Sequence, residues 1–218
     1  IVGYYKMSYD DRKMSGVGNW GSVSVEAGRL LEVGGIAGYM KGYSSESAPI
    51  LSFSFNHGNV TAKSTLDTTR MYIFHVGGAV GYSERGTIHD IYNFGNVIAE
   101  NYETLEDTRF EGEINFVGGL VGCLYGTDGS ALMNSYSAAK KIQGDRIGGI
   151  VGTLYYGSPT KKNSFDSTLL KIDAAGDTAF MSYYNPGHDL LKTGKSTAYM
   201  TSDEFLVSLN TAQDSLSD

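Results

Sequence analysis

Apolar and polar residues alternate along the chain with a period of two. Leu51, Phe53 and Phe55 alternate with Ser52, Ser54 and Asn56, and Val23 and Val25 alternate with Ser22, Ser24 and Glu26. That is the period of a half-covered strand, not of a helix. An apolar residue stands four positions before an aromatic in three places: Leu51 and Phe55, Ile88 and Tyr92, Leu132 and Tyr136. On a continuous strand both members of each pair share one face. A spacing of four also fits a helix, but flanking glycines and a composition poor in alanine decide for strand. Between the paired positions lies Phe53, Asp90, Asn134 or, in a fourth copy, Asn163. Stacked in register, the last three are placed to form a polar ladder.

The pattern repeats on a larger scale. Val33-Gly34-Gly35-Ile36-Ala37-Gly38 returns as Val76-Gly77-Gly78-Ala79-Val80-Gly81, Val117-Gly118-Gly119-Leu120-Val121-Gly122 and Ile147-Gly148-Gly149-Ile150-Val151-Gly152, at spacings of 43, 41 and 30 residues. A second motif follows each: Phe55-Asn56-His57-Gly58-Asn59-Val60, then Tyr92-Asn93-Phe94-Gly95-Asn96-Val97, then degraded copies at Tyr136 to Ala139 and Phe165 to Thr168. Asn19-Trp20-Gly21-Ser22-Val23 reads as the tail of a partial unit before residue 33. A glycine recurring at one register supplies either positive φ or close backbone approach, so each unit is expected to carry a turn or bulge. No unit of this kind covers its own apolar face, so neighbours must stack on it. The expected fold is all-β: a repetitive β-solenoid, with a parallel β-helix first and a glycine-bulged antiparallel sandwich as the alternative.

The C-terminus changes character, which divides the chain into a β-repeat domain over 1–195 and a cap over 196–218. Thr201-Ser202-Asp203-Glu204 reads as a capping box with Thr201 as N-cap and Glu204 at the third helical position, and Met200 with Phe205 as the hydrophobic staple. Phe205, Leu206 and Leu209 supply an apolar face that ends at Asn210, and the last eight residues are expected to fray.

Composition narrows the class. Of 218 residues 29 are glycine and three proline, too little proline for collagen; hydrophobic residues at 41% with charged residues at 19% argue against disorder. A net charge of −7 disfavours nucleic acid and anionic membrane surfaces, and no apolar run is long enough to span a bilayer. Cys123 is the only cysteine, so there is no disulfide framework or thiolate cluster. The chain opens without an initiator Met or signal segment and reads as mature or trimmed, with any export signal out of view.

The core Val117-Gly118-Gly119-Leu120-Val121-Gly122 resembles the GLUG repeat, named for its glycine-leucine-any-glycine signature. The segments Tyr92 to Val97 and Phe55 to Val60 resemble its usual continuation, and Lys195 to Phe205 with Leu209-Asn210 resembles the segment that often closes such arrays, so the likeness covers residues 17 to 210. Ile36 and Ala79 depart from the leucine position, and the later units lose Asn-x-Gly. The resemblance implies a secreted or surface-attached bacterial protein, extracellular or on the cell surface. Such repeats occur in adhesin-like proteins and, outside the catalytic domain, in large immunoglobulin A-cleaving metalloproteases. It implies no catalytic residues.

Candidate chemistry is sparse. Ile1-Val2-Gly3-Tyr4 matches the processed terminus of trypsin-like proteases in spelling, without the nucleophile serine context. Gly16-Val17-Gly18-Asn19-Trp20-Gly21 matches a dinucleotide fingerprint but leads into alternation instead of a helix. His57, His75, His89 and His188 lie far apart with no His-Glu-x-x-His, and no P-loop lysine follows a repeat glycine. His57 and His89 read as loop or face residues, and Cys123, at the place of Tyr39, Tyr82 and Thr153, as a half-buried packing residue. Glu100, Glu103, Glu106, Asp107, Glu111 and Glu113 form a solvated insertion, or alternatively a weak calcium site without an EF-hand pattern. Asn59-Val60-Thr61 spells a sequon of little meaning in a bacterial chain. Sixteen tyrosines against nine phenylalanines point to a broad pleated surface, with exposed rings such as those in Tyr155-Tyr156 and Tyr183-Tyr184 able to meet sugars or proteins.

The expected function is therefore a non-catalytic module for adhesion, ligand binding or spacing, with a host glycan or protein as partner, no nucleic acid, no cofactor and no metal beyond the calcium alternative. An accessory region of an immunoglobulin A-type metalloprotease, or a β-helix carbohydrate-active enzyme, is the second reading. The enzyme would gather groups such as Arg85, Asp90, Arg146 and Asp166 into one groove.

Overall fold

The computed structural model describes residues 2–6, 13–28, 31–44, 47–65, 73–100, 114–126, 131–155, 160–161, 164–166, 171–174 and 194–214. They form four sheets and two short helices. The first sheet holds Val2–Lys6, Ala37–Lys41, Val80–Glu84, Val121–Tyr125 and Val151–Tyr155 in that spatial order. The second is built on Ile50–Asn56 and Thr87–Asn93, flanked by Lys13–Ser15 and Gly18–Asn19 on one side and by Ala131–Met133 and Tyr136–Ser137 on the other, then Thr160–Lys161, Ser164–Asp166 and Gly194–Lys195. Val23–Ala27, Val60–Ser64, Val97–Glu100, Lys141–Gly144 and Lys171–Ala174 make the third, and Leu31–Gly34, Ile73–Gly77, Ile114–Gly118 and Arg146–Gly148 the fourth.

The chain visits the sheets in one cyclic order: fourth, first, second, third, and fourth again. Each strand therefore pairs with the same segment of the next unit, and every pairing among the described residues is parallel. The antiparallel sandwich is not what forms. Val33, Val76 and Val117 align, as do Val23, Val60 and Val97. The bend from the fourth sheet to the first is two residues in every unit (35–36, 78–79, 119–120, 149–150), and the connection from second to third is three (57–59, 94–96, 138–140). Unequal repeat spacing is absorbed in the other connections, 42–49, 65–72, 101–113 and 126–130. The described strands of the partial unit all align with the next unit, with Val2 beside Ala37 and Asn19 beside Asn56. The fourth copy of the second motif is one residue out of the sequence alignment, because Ser137, not Tyr136, pairs with Phe165.

Two apolar clusters fill the interior. One joins Met40, Val80, Leu124 and Leu154 of the first sheet to Leu51, Ile88 and Leu132 of the second; the other joins Val60, Val97 and Ile142 of the third to Phe74, Val76 and Val117 of the fourth. The repeat glycines lie where these lobes pinch together. A Cβ on Gly78 would overlap the Gly119 carbonyl and the Asn93 carboxamide; one on Gly81 would overlap the backbone of Val33 and Gly38. Gly34, Gly35, Gly38, Gly77, Gly118, Gly119, Gly122, Gly148 and Gly152 are confined in the same way, and the Gly149 carbonyl lies against Gly119. Close approach, not positive φ, is thus the reason for the motif. Among described glycines only Gly16 and Gly126 have left-handed φ.

The left-handed positions are taken by other residues: Phe53, Arg85, Asp90 and Asn134, at φ of 48°, 55°, 53° and 47°. Three of these are the middle residues of the second-sheet pairs, and they overturn the expected alternation. A left-handed residue breaks the pleat, so Leu51, Ser54 and Asn56 are buried whereas Phe53 is exposed and Phe55 only half-buried. Leu51 and Phe55 therefore lie on opposite faces. Serine repairs the interrupted ladder: Ser54 Oγ donates to Ser52 O (2.7 Å) and accepts from Val17 N (3.1 Å), and Ser135 Oγ donates to Met133 O (2.7 Å) and accepts from Ile91 N (3.2 Å). The expected polar ladder is present where described, since Asn134 Nδ2 donates to Asp90 Oδ1; Asn163 lies outside the described residues.

The C-terminal segment forms a helical turn, Thr197–Met200, and the helix Asp203–Asp214. The N-cap is Ser202, whose Oγ accepts from Phe205 N at 3.3 Å, not Thr201, whose hydroxyl instead donates to Ala198 O. Tyr199–Ser202 bonds close the preceding turn and shift the cap by one residue. The helix passes the expected stop at Asn210, so 211–214 are helical instead of frayed. Phe205 is buried, but Leu206 is exposed and does not share its face.

Candidate functional site

Three successive units turn from the second sheet into the third through Asn-aromatic-Gly-polar: Asn19-Trp20-Gly21-Ser22, Asn56-His57-Gly58-Asn59 and Asn93-Phe94-Gly95-Asn96. The first asparagines are buried and form a continuous ladder. Asn19 Nδ2 donates to Asn56 Oδ1 (2.7 Å), and Asn56 Nδ2 donates both to Asn93 Oδ1 (2.8 Å) and to its own turn's Gly58 O (2.7 Å). Such a ladder satisfies buried amides that would otherwise each cost about 1–3 kcal/mol. It also packs on the glycine bend, because the Asn56 carboxamide fills the space over Gly35 and that of Asn93 the space over Gly78. The two motifs recur together because one fits the other. Ser137 replaces asparagine over Gly119 in the third unit.

Outside this ladder stand two ring columns. Phe55, Tyr92 and Tyr136 stack at 5.3 Å with planes 9° apart, and burial pushes the Tyr136 phenol up to about 12. Trp20, His57 and Phe94 follow at 4.3 and 4.7 Å, tilted 34° and 37°. Phe205 of the C-terminal helix meets Tyr136 edge-on at 5.6 Å, so the helix seats on the side of the second sheet.

The first sheet carries the other tyrosines. Tyr4, Tyr39 and Tyr82 meet edge-to-face at 5.0 and 5.1 Å, and Tyr82, Tyr125 and Tyr155 continue at 6.0 and 5.8 Å. Tyr39 Oη donates to Glu84 Oε2 at 2.5 Å, with Lys41 Nζ at 2.9 Å from the same oxygen. Burial raises the Glu84 carboxyl, but the Tyr39 hydroxyl and the Lys41 ammonium outweigh it and hold it below the ordinary range. Burial, then the bond to Glu84, pushes the Tyr39 phenol far up.

A polar seam runs between the fourth and first sheets. Glu32, His75, Phe116 and Arg146 align on the fourth, with His75 stacked on Phe116 (5.6 Å, 14°) and 5.0 Å from Tyr82. Neither His75 nitrogen has a hydrogen-bond partner, and burial lowers its pKa to about 4. Burial likewise raises Glu32 and the Cys123 thiol. Cys123 does align with Tyr82 and Thr153, but it is fully buried, not half-buried.

The remaining candidates do not converge. His89 Nδ1 lies 2.6 Å from Asp90 Oδ2 on the second sheet, Arg85 stands between the first and second sheets beside Glu84 at 3.7 Å, and Arg146 lies over Phe116 on the fourth at 5.8 Å. Nothing is described of the Asp166 side chain, and His188, Tyr156, Tyr183, Tyr184 and the acidic insertion except exposed Glu100 lie outside the described residues. No group of three metal-ligating side chains occurs among the described residues. Val2-Gly3-Tyr4 pairs with Ala37-Gly38-Tyr39, so the protease-like spelling belongs to the repeat, as the copy Ile150-Val151-Gly152 could have revealed. Gly18–Asn19 is a strand beside Phe55 and Asn56, not the start of a nucleotide-binding helix. Sequence reasoning missed the asparagine ladder, although Asn19, Asn56 and Asn93 recur at steps of 37 residues. Comparison with protein-family models, curated proteins and solved structures returned no significant match.

Proposed function

We propose that the chain is a parallel β-helix module of a secreted or surface-attached bacterial protein, non-catalytic, that works by presenting fixed ladders of side chains to a host glycan or protein. What carries this reading is the cyclic visiting order of four parallel sheets, with like residues in register from unit to unit. That order is how a chain winds helically, and it turns each outward position into a column with a step of about 4.8 Å. The resemblance to GLUG arrays supports the surface setting. The separation of Arg85, Asp90 and Arg146 favours display over chemistry.

Cross-strand NMR contacts and an array of glycans and host proteins test the proposal together. Parallel contacts in the register of Val33, Val76 and Val117, with at least one specific array partner, are the expected result. Antiparallel contacts in their place remove the β-helix. Turnover of a polysaccharide by the purified chain overturns the non-catalytic reading in favour of the β-helix enzyme.

A further inference from the structure

We infer that the turn column beginning at Trp20 is a binding subsite for a neutral saccharide, an assignment that rests on the display-module reading and names its ligand class. The turns are rigid: a Cβ on Gly58 would overlap the Gly21 carbonyl, and one on Gly95 the Gly58 carbonyl, while the buried asparagines tie each turn to the next. On this frame the second position of each turn projects a ring. Trp20 is 72% exposed with His57 against one indole face, and Phe94 ends the column 42% exposed. Both ends of the stack thus offer aromatic surface to solvent, two strand spacings or about 9–10 Å apart.

Two residues further on runs a column of amides. Asn59 Oδ1 accepts the Asn96 backbone N–H at 3.0 Å, and Asn96 Oδ1 accepts that of Lys141 at 3.0 Å. Because a backbone N–H requires an acceptor, each carboxamide turns its oxygen to the protein and leaves its Nδ2 donors facing away. Neither Nδ2 has a partner among the described residues. Rings suit the C–H face of a pyranose, and oriented amide donors suit its hydroxyl and ring oxygens. The three turns that carry the rings hold Ser22, Asn59 and Asn96 and no carboxylate, lysine or arginine. Lys141 follows Asn96 only one strand spacing beyond the Phe94 end, so a ligand seated on the rings meets amides, which suits a neutral sugar. A protein partner would find the rings backed on one side by the half-buried Phe55, Tyr92 and Tyr136 and bordered on the other by glycine and open amides, in place of the closed apolar surround typical of a hot spot.

Trp20 is the only tryptophan, so its emission reports this position alone. The full chain is titrated with laminarihexaose, cellohexaose and hexa-N-acetylchitohexaose to millimolar concentration, reading Trp20 fluorescence and the side-chain amide resonances of Asn59 and Asn96. The expected result is a saturable shift of both signals with at least one hexasaccharide. By calorimetry, Trp20→Ala weakens that binding at least tenfold and Asn59→Ala severalfold, both variants keeping the parent far-UV spectrum, and Tyr4→Ala leaves it unchanged. Saccharide binding that survives Trp20→Ala, or that moves first-sheet resonances instead, overturns the subsite and leaves the module reading standing. Silence toward all three sugars also overturns the subsite, and if a protein on the array then quenches Trp20, the column is a protein-docking surface.

Discussion

His75 should make the stability of this protein fall steeply with acid between pH 6.5 and 4. The imidazole sits between Phe116 and Tyr82 with 5% exposure and no partner for either nitrogen, so it is held neutral with a pKa near 4 against an ordinary 6.5. The unfolded chain binds the proton first. Stability is then fully present above about pH 6.5 and is lost at about 1.4 kcal/mol per pH unit down to about pH 4, a total of about 3 kcal/mol. Glu32, its neighbour in register, acts oppositely: burial raises its folded pKa, so its contribution is present below the ordinary 4.5 and lost as pH rises. His75→Phe keeps the stack and removes only the imidazole, so the difference between parent and variant isolates His75. Urea unfolding followed by far-UV circular dichroism at pH 7, 5.5 and 4.5 measures that difference. The variant should be at least as stable at pH 7, because two unpaired buried nitrogens are gone. Its advantage should widen by about 2 to 3 kcal/mol at pH 4.5. Parallel pH profiles for the two proteins would refute the assignment of a neutral, unpartnered imidazole.

Asn56→Ala should lower stability by about 2–4 kcal/mol, seen as a drop in Tm, because it strands Asn19 Nδ2 in a buried site, removes the donor to Gly58 O and takes one of two donors from Asn93 Oδ1, which keeps Gly95 N. Gly81→Ala should cost more than about 4 kcal/mol or abolish folding, since its Cβ meets backbone that cannot yield, whereas Gly3→Ala, with nothing within 4 Å, should stay within about 0.5 kcal/mol. A soluble, cooperatively melting Gly81→Ala protein would contradict the close-approach explanation of the repeat. Tyr39→Phe should raise the Glu84 carboxyl toward its ordinary range, with Lys41 still holding part of the depression; carbon-detected NMR titration of Glu84 reads the direction.

Much of the architecture was legible because its cause is local and repeated. Val33-Gly34-Gly35 and its copies announced where backbones would touch, and alternation in Val23 to Glu26 announced a strand. Reading failed where one residue changes the geometry of its neighbours. Phe53 is an aromatic in a strand pattern, and nothing in its identity signals φ of 48°, yet that angle turns Phe55 away from Leu51. Asp90 and Asn134 at the same place are types that tolerate the left-handed region, a clue visible only after alignment of the units. The cap moved from Thr201 to Ser202 because both hydroxyls suit the role and the preceding turn chose between them. Of the candidate subsite, Trp20 and Asn59 were visible as residues but not as columns.

The sequence by itself determined that units stack, since no unit can cover its own apolar residues and every copy carries the same glycines. Whether strands would run parallel or antiparallel, where the two lobes pinch and which rings face solvent were decided by tertiary structure. Those outcomes depend on contacts between residues about 20 to 45 positions apart, such as Asn56 lodged over Gly35 of its own unit's bend and hydrogen-bonded to Asn93 of the next. Periodicity specifies which residues recur. Only the packed chain specifies what each recurrence touches.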